Sequence, residues 1–166
     1  MSNFSFVNLI GILGCAKVLS NMEMEMLPTP STDWQDLRLK TDLTKSNLPG
    51  ITRLLRTSPN LYKLTIRLNS IVQSGVHVDD ELNYWNSVQS LPCLEKTLEY
   101  VNIYNFNGET SEIALVEFLL KKARKLEQMI IYSKKNDMLA IHQKVLSFER
   151  ASPESAVMLY LGVGIV

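Results

Sequence analysis

A short pattern that recurs along the chain restricts the possible folds more than any other sequence feature. It consists of two apolar residues, four or five polar or small residues, a Leu, two variable positions and an apolar-x-apolar triplet, and it is found at residues 12–24, 54–66 and 119–131. Its first half has the spacing of the end of an amphipathic helix, and its last three positions alternate as in a half-buried strand. Each copy therefore predicts a helix followed by a strand.

A helix–strand unit of this kind cannot bury its apolar side alone, so it must stack on a neighbouring unit. The copies begin 42 and then 65 residues apart, which exceeds the length of about 20–29 residues of a single leucine-rich unit. Further strands must therefore lie between them, and residues 37–40 and 101–106 have the required alternation. Because strands that alternate with helices pair in parallel, we predict an α/β fold. It is an irregular leucine-rich-repeat solenoid with parallel strands on one face and helices on the other.

The predicted elements follow one another closely along the chain. Helices are predicted over 4–17, 48–57, 80–90, 111–123 and 137–143, and strands over 22–26, 37–41, 63–68, 98–105, 128–133 and 157–161. The helix over 111–123 is the best defined, because Ile113, Val116 and Leu120 form one apolar stripe. Its acidic first turn and basic end suit the helix dipole.

The composition narrows the classes of function. Seventeen Lys and Arg residues balance seventeen Asp and Glu residues, whereas a nucleic-acid binder usually carries a basic excess across the domain. Leu accounts for 25 of the 166 residues, and many of these leucines occupy the recurring positions of the repeat. The leucine content therefore reflects the number of repeats. From the balanced charge we predict that the protein does not bind nucleic acid, and we predict no membrane binding either.

The cysteines and the N-terminal apolar run are interpreted as parts of the core. Cys15 and Cys93 lie among apolar neighbours and are too few for a disulfide framework or a four-ligand zinc site. The apolar run over 6–15 has no basic residue before Lys17 and is too short to span a bilayer. It predicts a core helix, and the two cysteines indicate a reducing compartment.

No sequence motif indicates catalysis. A glycine-rich phosphate loop after a strand, a nucleophile elbow, an H-E-x-x-H motif and a C-x-x-C motif are all absent from the sequence. His77 precedes three acidic residues after one intervening position, but the spacing matches neither an EF-hand nor a His-based metal motif. We therefore predict that the protein is not an enzyme and has no cofactor or metal site. A small enzyme with a triad assembled only in space is the least favoured alternative.

Two charged segments have a structural and a functional interpretation. Residues 121–125 form the one basic cluster of the sequence and are interpreted as a solvated, dipole-matched helix end; binding of phosphate or of an acidic partner is the alternative. Residues 22–26 alternate Met and Glu, which favours a half-buried strand over a metal-binding surface.

From Leu91 onward the sequence resembles the FBD domain, which closes plant F-box/leucine-rich-repeat proteins. The resemblance rests on residues 91–94, 98–108, 112–131 and 146–153. The upstream segments that resemble the preceding repeats are Trp34 to Leu39, Leu48 to Ile51, Ser58 to Leu61, and Tyr84 with Trp85. The resemblance extends over nearly the whole chain, and the order and spacing of these segments identify the family better than any single tripeptide does.

The resemblance implies a domain division and a function. It divides the chain into a truncated leucine-rich-repeat segment over 1–90, an FBD-like domain over 91–160 that continues the same solenoid, and an atypical tail over 161–166. It implies a non-catalytic protein–protein interaction module, similar to the substrate-recognition part of an F-box ubiquitin-ligase receptor. The resemblance also implies a cytoplasmic or nuclear location. No segment here resembles an F-box, so the adaptor of a cullin-based ligase is an expected partner only if an F-box exists outside this chain. A truncated remnant without a retained partner is the alternative.

The expected binding surface is the strand face of the solenoid. Residues between the buried strand positions point away from the helices, because strand side chains alternate between the two faces of a sheet. The candidate partner-binding residues are Glu23, Glu25, Arg38, Lys40, Thr65, Arg67, Asn102, Tyr104, Ile130 and Tyr132. The predicted face changes from acidic through basic to aromatic, and Tyr and Arg are frequent interface hot spots. A protein partner is therefore expected there.

Overall fold

Strands alternate with helices along most of the chain in the computed structural model, which describes residues 4–7, 34–45, 47–69, 78–89, 91–134 and 139–161. The strands are β1 (Phe4–Val7), β2 (Asp36–Thr41), β3 (Lys63–Leu68), β4 (Tyr100–Phe106), β5 (Gln128–Ser133) and β6 (Ala156–Leu161). The helices of the described residues are α1 (Leu48–Arg56), α2 (Val78–Ser87), α3 (Pro92–Lys96), α4 (Thr110–Lys122) and α5 (Leu139–Leu146).

The six strands form one sheet whose spatial order equals their order in the chain. Every neighbouring pair is parallel. The register runs from β2 to β6 without a shift as far as Tyr104, so that Leu37 lies beside Leu64, and Leu64 lies beside Val101. Beyond Tyr104 the register between β4 and β5 shifts, and Phe106 lies beside Ser133. The predicted mixed α/β fold with a parallel sheet is confirmed.

The two faces of this sheet differ in what covers them. From β2 to β5, alternate strand residues are fully buried, namely Leu37, Leu39, Leu64, Ile66, Val101, Ile103, Met129 and Ile131. Together with the buried side chains of α1, α3 and α4, they form one hydrophobic core. The residues between them are mostly half-buried or exposed. We call the first side the covered face and the second side the open face.

Equivalent backbone hydrogen bonds recur at the starts of successive strands. The backbone carbonyl of the residue directly before a strand accepts hydrogen bonds from two backbone N–H groups at the start of the next strand. The bonds run from Tyr62 and Lys63 to Gln35, from Glu99 and Tyr100 to Tyr62, and from Glu127 and Gln128 to Glu99, with lengths of 2.8–3.1 Å. Ala156 donates in the same way to Glu127 at 2.8 Å. These bonds fix the start of each strand relative to its neighbour.

Helix α4 begins at a capping box. The Glu112 carboxylate accepts hydrogen bonds from the backbone N–H groups of Asn107 at 2.8 Å and of Glu109 at 3.1 Å. Gly108 precedes the helix with a positive φ of 76°, a conformation that glycine adopts without steric cost. Burial raises the pKa of Glu112, while the backbone hydrogen bonds from this loop act in the opposite direction. The bonds satisfy a carboxylate that is otherwise shielded from water.

The predicted elements that fall on the described residues can be compared with the structure. The strands predicted at 37–41, 63–68, 98–105, 128–133 and 157–161 and the helices predicted at 48–57, 80–90, 111–123 and 137–143 are all found, with ends shifted by at most three residues. The sequence did not predict α3, which has only five residues. Cys93 is buried as predicted, whereas Cys15 lies outside the described residues.

The prediction at the N-terminus is wrong in one place. Residues 4–7 were predicted as the start of a helix over 4–17, but they form β1 and pair with β2. An apolar run does not by itself distinguish a strand from a buried helix. The rest of that helix and the strand predicted over 22–26 lie outside the described residues.

The remaining structural findings concern membranes and metals. None of the helices in the described ranges is long and apolar enough to cross a membrane. Within the same ranges, no three His, Cys, Asp or Glu side chains are grouped in a way that could hold a metal ion.

Candidate interaction surface

The parallel register arranges the open face in three rows that run across the strands. The N-terminal row is Asp36, Lys63, Tyr100, Gln128 and Ala156; the middle row is Arg38, Thr65, Asn102, Ile130 and Met158; the C-terminal row is Lys40, Arg67, Tyr104, Tyr132 and Tyr160. Neighbours within a row are about 4.8 Å apart, the usual distance between paired strands. Residues distant in the chain therefore form one contiguous surface.

The structure brings together eight of the ten residues that the sequence suggested for partner binding. Arg38, Thr65, Asn102 and Ile130 fall in the middle row, and Lys40, Arg67, Tyr104 and Tyr132 fall in the C-terminal row. Glu23 and Glu25 lie outside the described residues. The strand beside β2 is β1, in which Phe6 is in register with Arg38. The role of the eight residues in binding stays a prediction.

Three tyrosines of the C-terminal row stack on one another. The rings of Tyr104 and Tyr132 are nearly parallel, with centroids 4.5 Å apart and 5° between their planes. Tyr132 stacks in turn on Tyr160 at 5.6 Å and 19°. Burial and the neighbouring Tyr104 raise the pKa of Tyr132, which favours the neutral phenol. This tyrosine stack forms a continuous aromatic surface across β4, β5 and β6.

Arg67 on β3 lies beside the tyrosine stack. The Arg67 guanidinium carbon lies 5.9 Å from the centroid of the Tyr104 ring, within the range of a cation–π contact. Lys40 is the next residue of the row and is exposed. In the middle row, Arg38 pairs with Asp36 at 3.5 Å, and the Arg38 side chain remains 48% exposed. The β2 and β3 part of the open face is therefore basic.

A second aromatic contact lies where the strands begin. Tyr62 and Tyr100 have ring centroids 5.1 Å apart at an angle of 59°. The Tyr100 hydroxyl donates a hydrogen bond of 2.7 Å to the Glu127 carboxylate, and this bond raises the pKa of Tyr100 because it stabilises the protonated phenol. Tyr62 is 43% exposed. Tyr62 and Tyr100 therefore add a second pair of aromatic side chains to the surface, and the hydrogen bond to Glu127 holds Tyr100 in its orientation.

The middle row lies between the two aromatic contacts. Thr65, Asn102 and Ile130 are half-buried, as is Met158 on β6. Ile130 and Met158 are apolar, so the middle row changes from polar near β3 to apolar near β6.

The other side of the sheet has a cavity, and the part of the chain that the structure describes holds no cluster of three His, Cys, Asp or Glu side chains there. A space of about 290 Å³ lies between α2 and α4 and is lined by Trp85, Asn86, Ala114, Glu117, Phe118, Lys121 and Lys122. Trp85 and Phe118 pack against each other with ring centroids 4.7 Å apart. Cys93 is enclosed in the core, and burial raises the pKa of its thiol to about 12, so it is not a nucleophile at neutral pH.

Sequence reasoning missed several members of the open face. Tyr160 and Met158 on β6 and Lys63 and Tyr100 in the N-terminal row were not among the candidates. A signal for β6 exists in the sequence, because Tyr104, Tyr132 and Tyr160 are each 28 residues apart. The same period connects Asn102, Ile130 and Met158, and it extends the predicted surface by one strand.

Comparison with known proteins identifies relatives of this chain. Residues 89–131 match the FBD family. An F-box protein of Arabidopsis thaliana is 33% identical over 101 residues, which cover 59% of this chain and 22% of the relative. A putative F-box/LRR-repeat protein of the same plant is 30% identical over 125 residues, covering 70% of this chain and 26% of the relative.

A third relative has FBD in its name. A probable FBD-associated F-box protein of Arabidopsis thaliana is 30% identical over 122 residues, which cover 72% of this chain and 34% of the relative. The chain thus spans between about a fifth and a third of the length of these relatives. No solved structure matches the chain significantly. The resemblance to the plant F-box/FBD/leucine-rich-repeat family that the sequence suggested is confirmed.

Proposed function

We propose that this chain, a relative of the plant F-box/LRR-repeat and FBD-associated F-box proteins, is a non-catalytic protein–protein interaction module. In this proposal the open face is the binding surface, and it corresponds to the substrate-recognition part of a ubiquitin-ligase receptor. The partner is a protein in the cytoplasm or nucleus. The observation that carries the proposal is the tyrosine stack with Arg67, an aromatic and cationic row on the open face, whose described residues are mostly half-buried or exposed.

The proposal includes a solenoid architecture. The strands β2 to β6 begin at residues 36, 63, 100, 128 and 156, so three of the four repeats are 27 or 28 residues long and one is 37. A length of about 20–29 residues is that of a leucine-rich unit, and the longer repeat contains both α2 and α3. The recurrent hydrogen bonds at the strand starts also favour a stack of equivalent units.

The open face has the properties of a recognition surface. Parallel sheets usually have both faces covered, and here one face of five strands carries half-buried Tyr, Arg and Ile side chains. Tyr and Arg dominate interface hot spots because they combine large contact areas with polar ends. The stack holds its three rings in place before any partner arrives, so little side-chain entropy is lost on binding.

The experiment compares partner capture by the whole chain and by a double variant, Tyr104→Ala with Tyr132→Ala. Affinity capture from plant extract followed by quantitative mass spectrometry should show a set of proteins that the double variant no longer retains. The matched control is Leu139→Ala with Leu146→Ala, which removes two exposed apolar side chains from α5 (68% and 44% exposed). Circular dichroism verifies that each variant is folded.

Two results would count against the proposal. Undiminished capture by the folded double variant would place the binding surface elsewhere. Loss of the same proteins in the α5 control would show that the open face has no special role. A third variant, Tyr160→Ala, removes only the ring at the exposed end of the stack, and we expect it to weaken capture without disturbing the fold.

A further inference from the structure

We infer that the open face selects one kind of peptide: an extended segment with carboxylates at one end and an aromatic or large apolar residue at the other. This inference rests on the proposed function and specifies the chemistry of the partner. It follows from a division of the open face into two halves, a basic half on β2 and β3 and an uncharged half on β4, β5 and β6.

The charges of the three rows are confined to the basic half. It contains Arg38, Lys40, Lys63 and Arg67 and one carboxylate, Asp36, which pairs with Arg38. No carboxylate of the described residues forms an ion pair with Lys40, Lys63 or Arg67. Four cations against one anion, in a chain whose overall net charge is zero, attract an acidic partner segment.

The uncharged half offers aromatic and apolar contacts instead. None of its nine row positions is an Asp, Glu, Lys, Arg or His residue. These positions are Tyr100, Gln128, Ala156, Asn102, Ile130, Met158, Tyr104, Tyr132 and Tyr160. Tyr160 is 49% exposed at the edge of the sheet. An apolar partner side chain that lies over Ile130 and against the tyrosine stack removes apolar surface of both molecules from water, which is favourable.

The dimensions of the C-terminal row set the length of the segment. From Lys40 to Tyr160 the row crosses four strand spacings, or roughly 19 Å at about 4.8 Å each. An extended chain advances about 3.3 Å per residue, so about six residues span the row. The carboxylates and the apolar residue of the partner should therefore be separated by about three or four residues.

The same observations disfavour a nucleic acid as the partner. Phosphates recur along a nucleic-acid strand and need cations along the whole path, whereas the uncharged half has none in its rows. Single-stranded bases bind by stacking on free aromatic faces. Tyr132 lies between Tyr104 and Tyr160, so both of its faces are occupied. The geometry favours a peptide.

The test uses fluorescent eight-residue peptides and the whole chain, with binding measured by fluorescence anisotropy. The probe carries three Asp or Glu residues at one end and a Trp-Leu pair at the other, in both chain orders. One comparison peptide has Lys in place of the acidic residues, and a second has Ala in place of the Trp-Leu pair. A poly-uridine oligonucleotide of eight residues tests the nucleic-acid alternative.

The decisive variant reverses two charges of the C-terminal row, Lys40→Glu with Arg67→Glu. We expect it to bind the acidic probe at least about tenfold more weakly and to bind the Lys peptide better than the unchanged chain does, since charge complementarity is exchanged. The matched control, Lys122→Glu with Lys125→Glu, makes the same change in net charge at the exposed end of α4 and beyond it. It should leave binding of the acidic probe within about twofold.

The outcomes separate this inference from the proposed function. If the tyrosine double variant loses its captured proteins, but peptide binding is absent or insensitive to the reversal at Lys40 and Arg67, the binding surface stands and the acidic–aromatic specificity is wrong. An equal loss in the α4 control would also overturn the specificity, as would tighter binding of the oligonucleotide than of the acidic probe. If partner capture is also unaffected by the tyrosine substitutions, both proposals fail.

Discussion

The two faces of the sheet are made by the same strands and follow different rules. On the covered face, β2 to β5 each contribute two fully buried apolar residues, such as Leu64 and Ile66 of β3. On the open face the residue type changes from strand to strand, from Lys40 through Arg67 to Tyr104. Core packing requires an apolar residue at each of these positions, so the covered face is uniform. Core packing does not constrain the residue type on the open face, and we therefore expect recognition residues there.

The largest expected effect on stability comes from a substitution on the covered face. Leu64→Ala removes a fully buried side chain and should lower the free energy of unfolding by about 2–5 kcal/mol, because both apolar contact and close packing are lost. Urea denaturation followed by circular dichroism measures the change. Thr65→Ala, the next residue on the open face, is the matched control, and an equal loss there would contradict the distinction between the faces.

An intermediate effect is expected within the tyrosine stack. Tyr132 contacts two rings and Tyr160 contacts one, and an aromatic pair contributes about 0.5–1.5 kcal/mol beyond the area that it buries. Tyr132→Ala should therefore destabilise the protein by about 1 kcal/mol more than Tyr160→Ala does. Thermal denaturation of both variants measures this difference. Equal melting temperatures would show that the rings do not support one another.

The smallest effect concerns a polar group on the helix side, the buried carboxyl of Glu112. Since the pKa of Glu112 in the folded state is raised above its usual value of 4.5, the stability that this proton contributes is fully present below about pH 4.5. It is lost as the pH rises through the raised value. Glu112→Gln cannot ionise, so the free energy of unfolding of the unchanged protein should fall relative to that of the variant across this interval. Parallel pH profiles of the two proteins would contradict the effect of burial.

The fold was predictable because the covered face leaves a periodic signal in the sequence. The apolar-x-apolar triplets gave β3 and β5, and the amphipathic stripe gave α4. The failure at β1 has a physical cause, since a mainly apolar segment such as residues 6–15 is compatible with a strand or a buried helix until its neighbours are known. Helix α3 has only five residues, which is too short to show a helical period.

The candidate surface was predictable in part. Alternation within each strand identifies which residues share a face, and this placed Arg67, Tyr104 and Tyr132 on one side. The stacking of Tyr104 on Tyr132 at 4.5 Å depends on the register between two strands, which alternation within one strand does not contain. The 28-residue spacing of Tyr104 and Tyr132 does contain this register information, and the same spacing identifies Tyr160 as the next residue of the row.

The central claim is that the open face binds the partner, while the covered face and its helices stabilise the sheet. Chemical-shift mapping by NMR with the acidic–aromatic probe tests this claim most directly. We predict that shifts concentrate at Lys40, Arg67, Tyr104, Tyr132 and Tyr160, while the amides of α4 stay unchanged. Shifts confined to the cavity around Trp85 and Phe118, between α2 and α4, would contradict it.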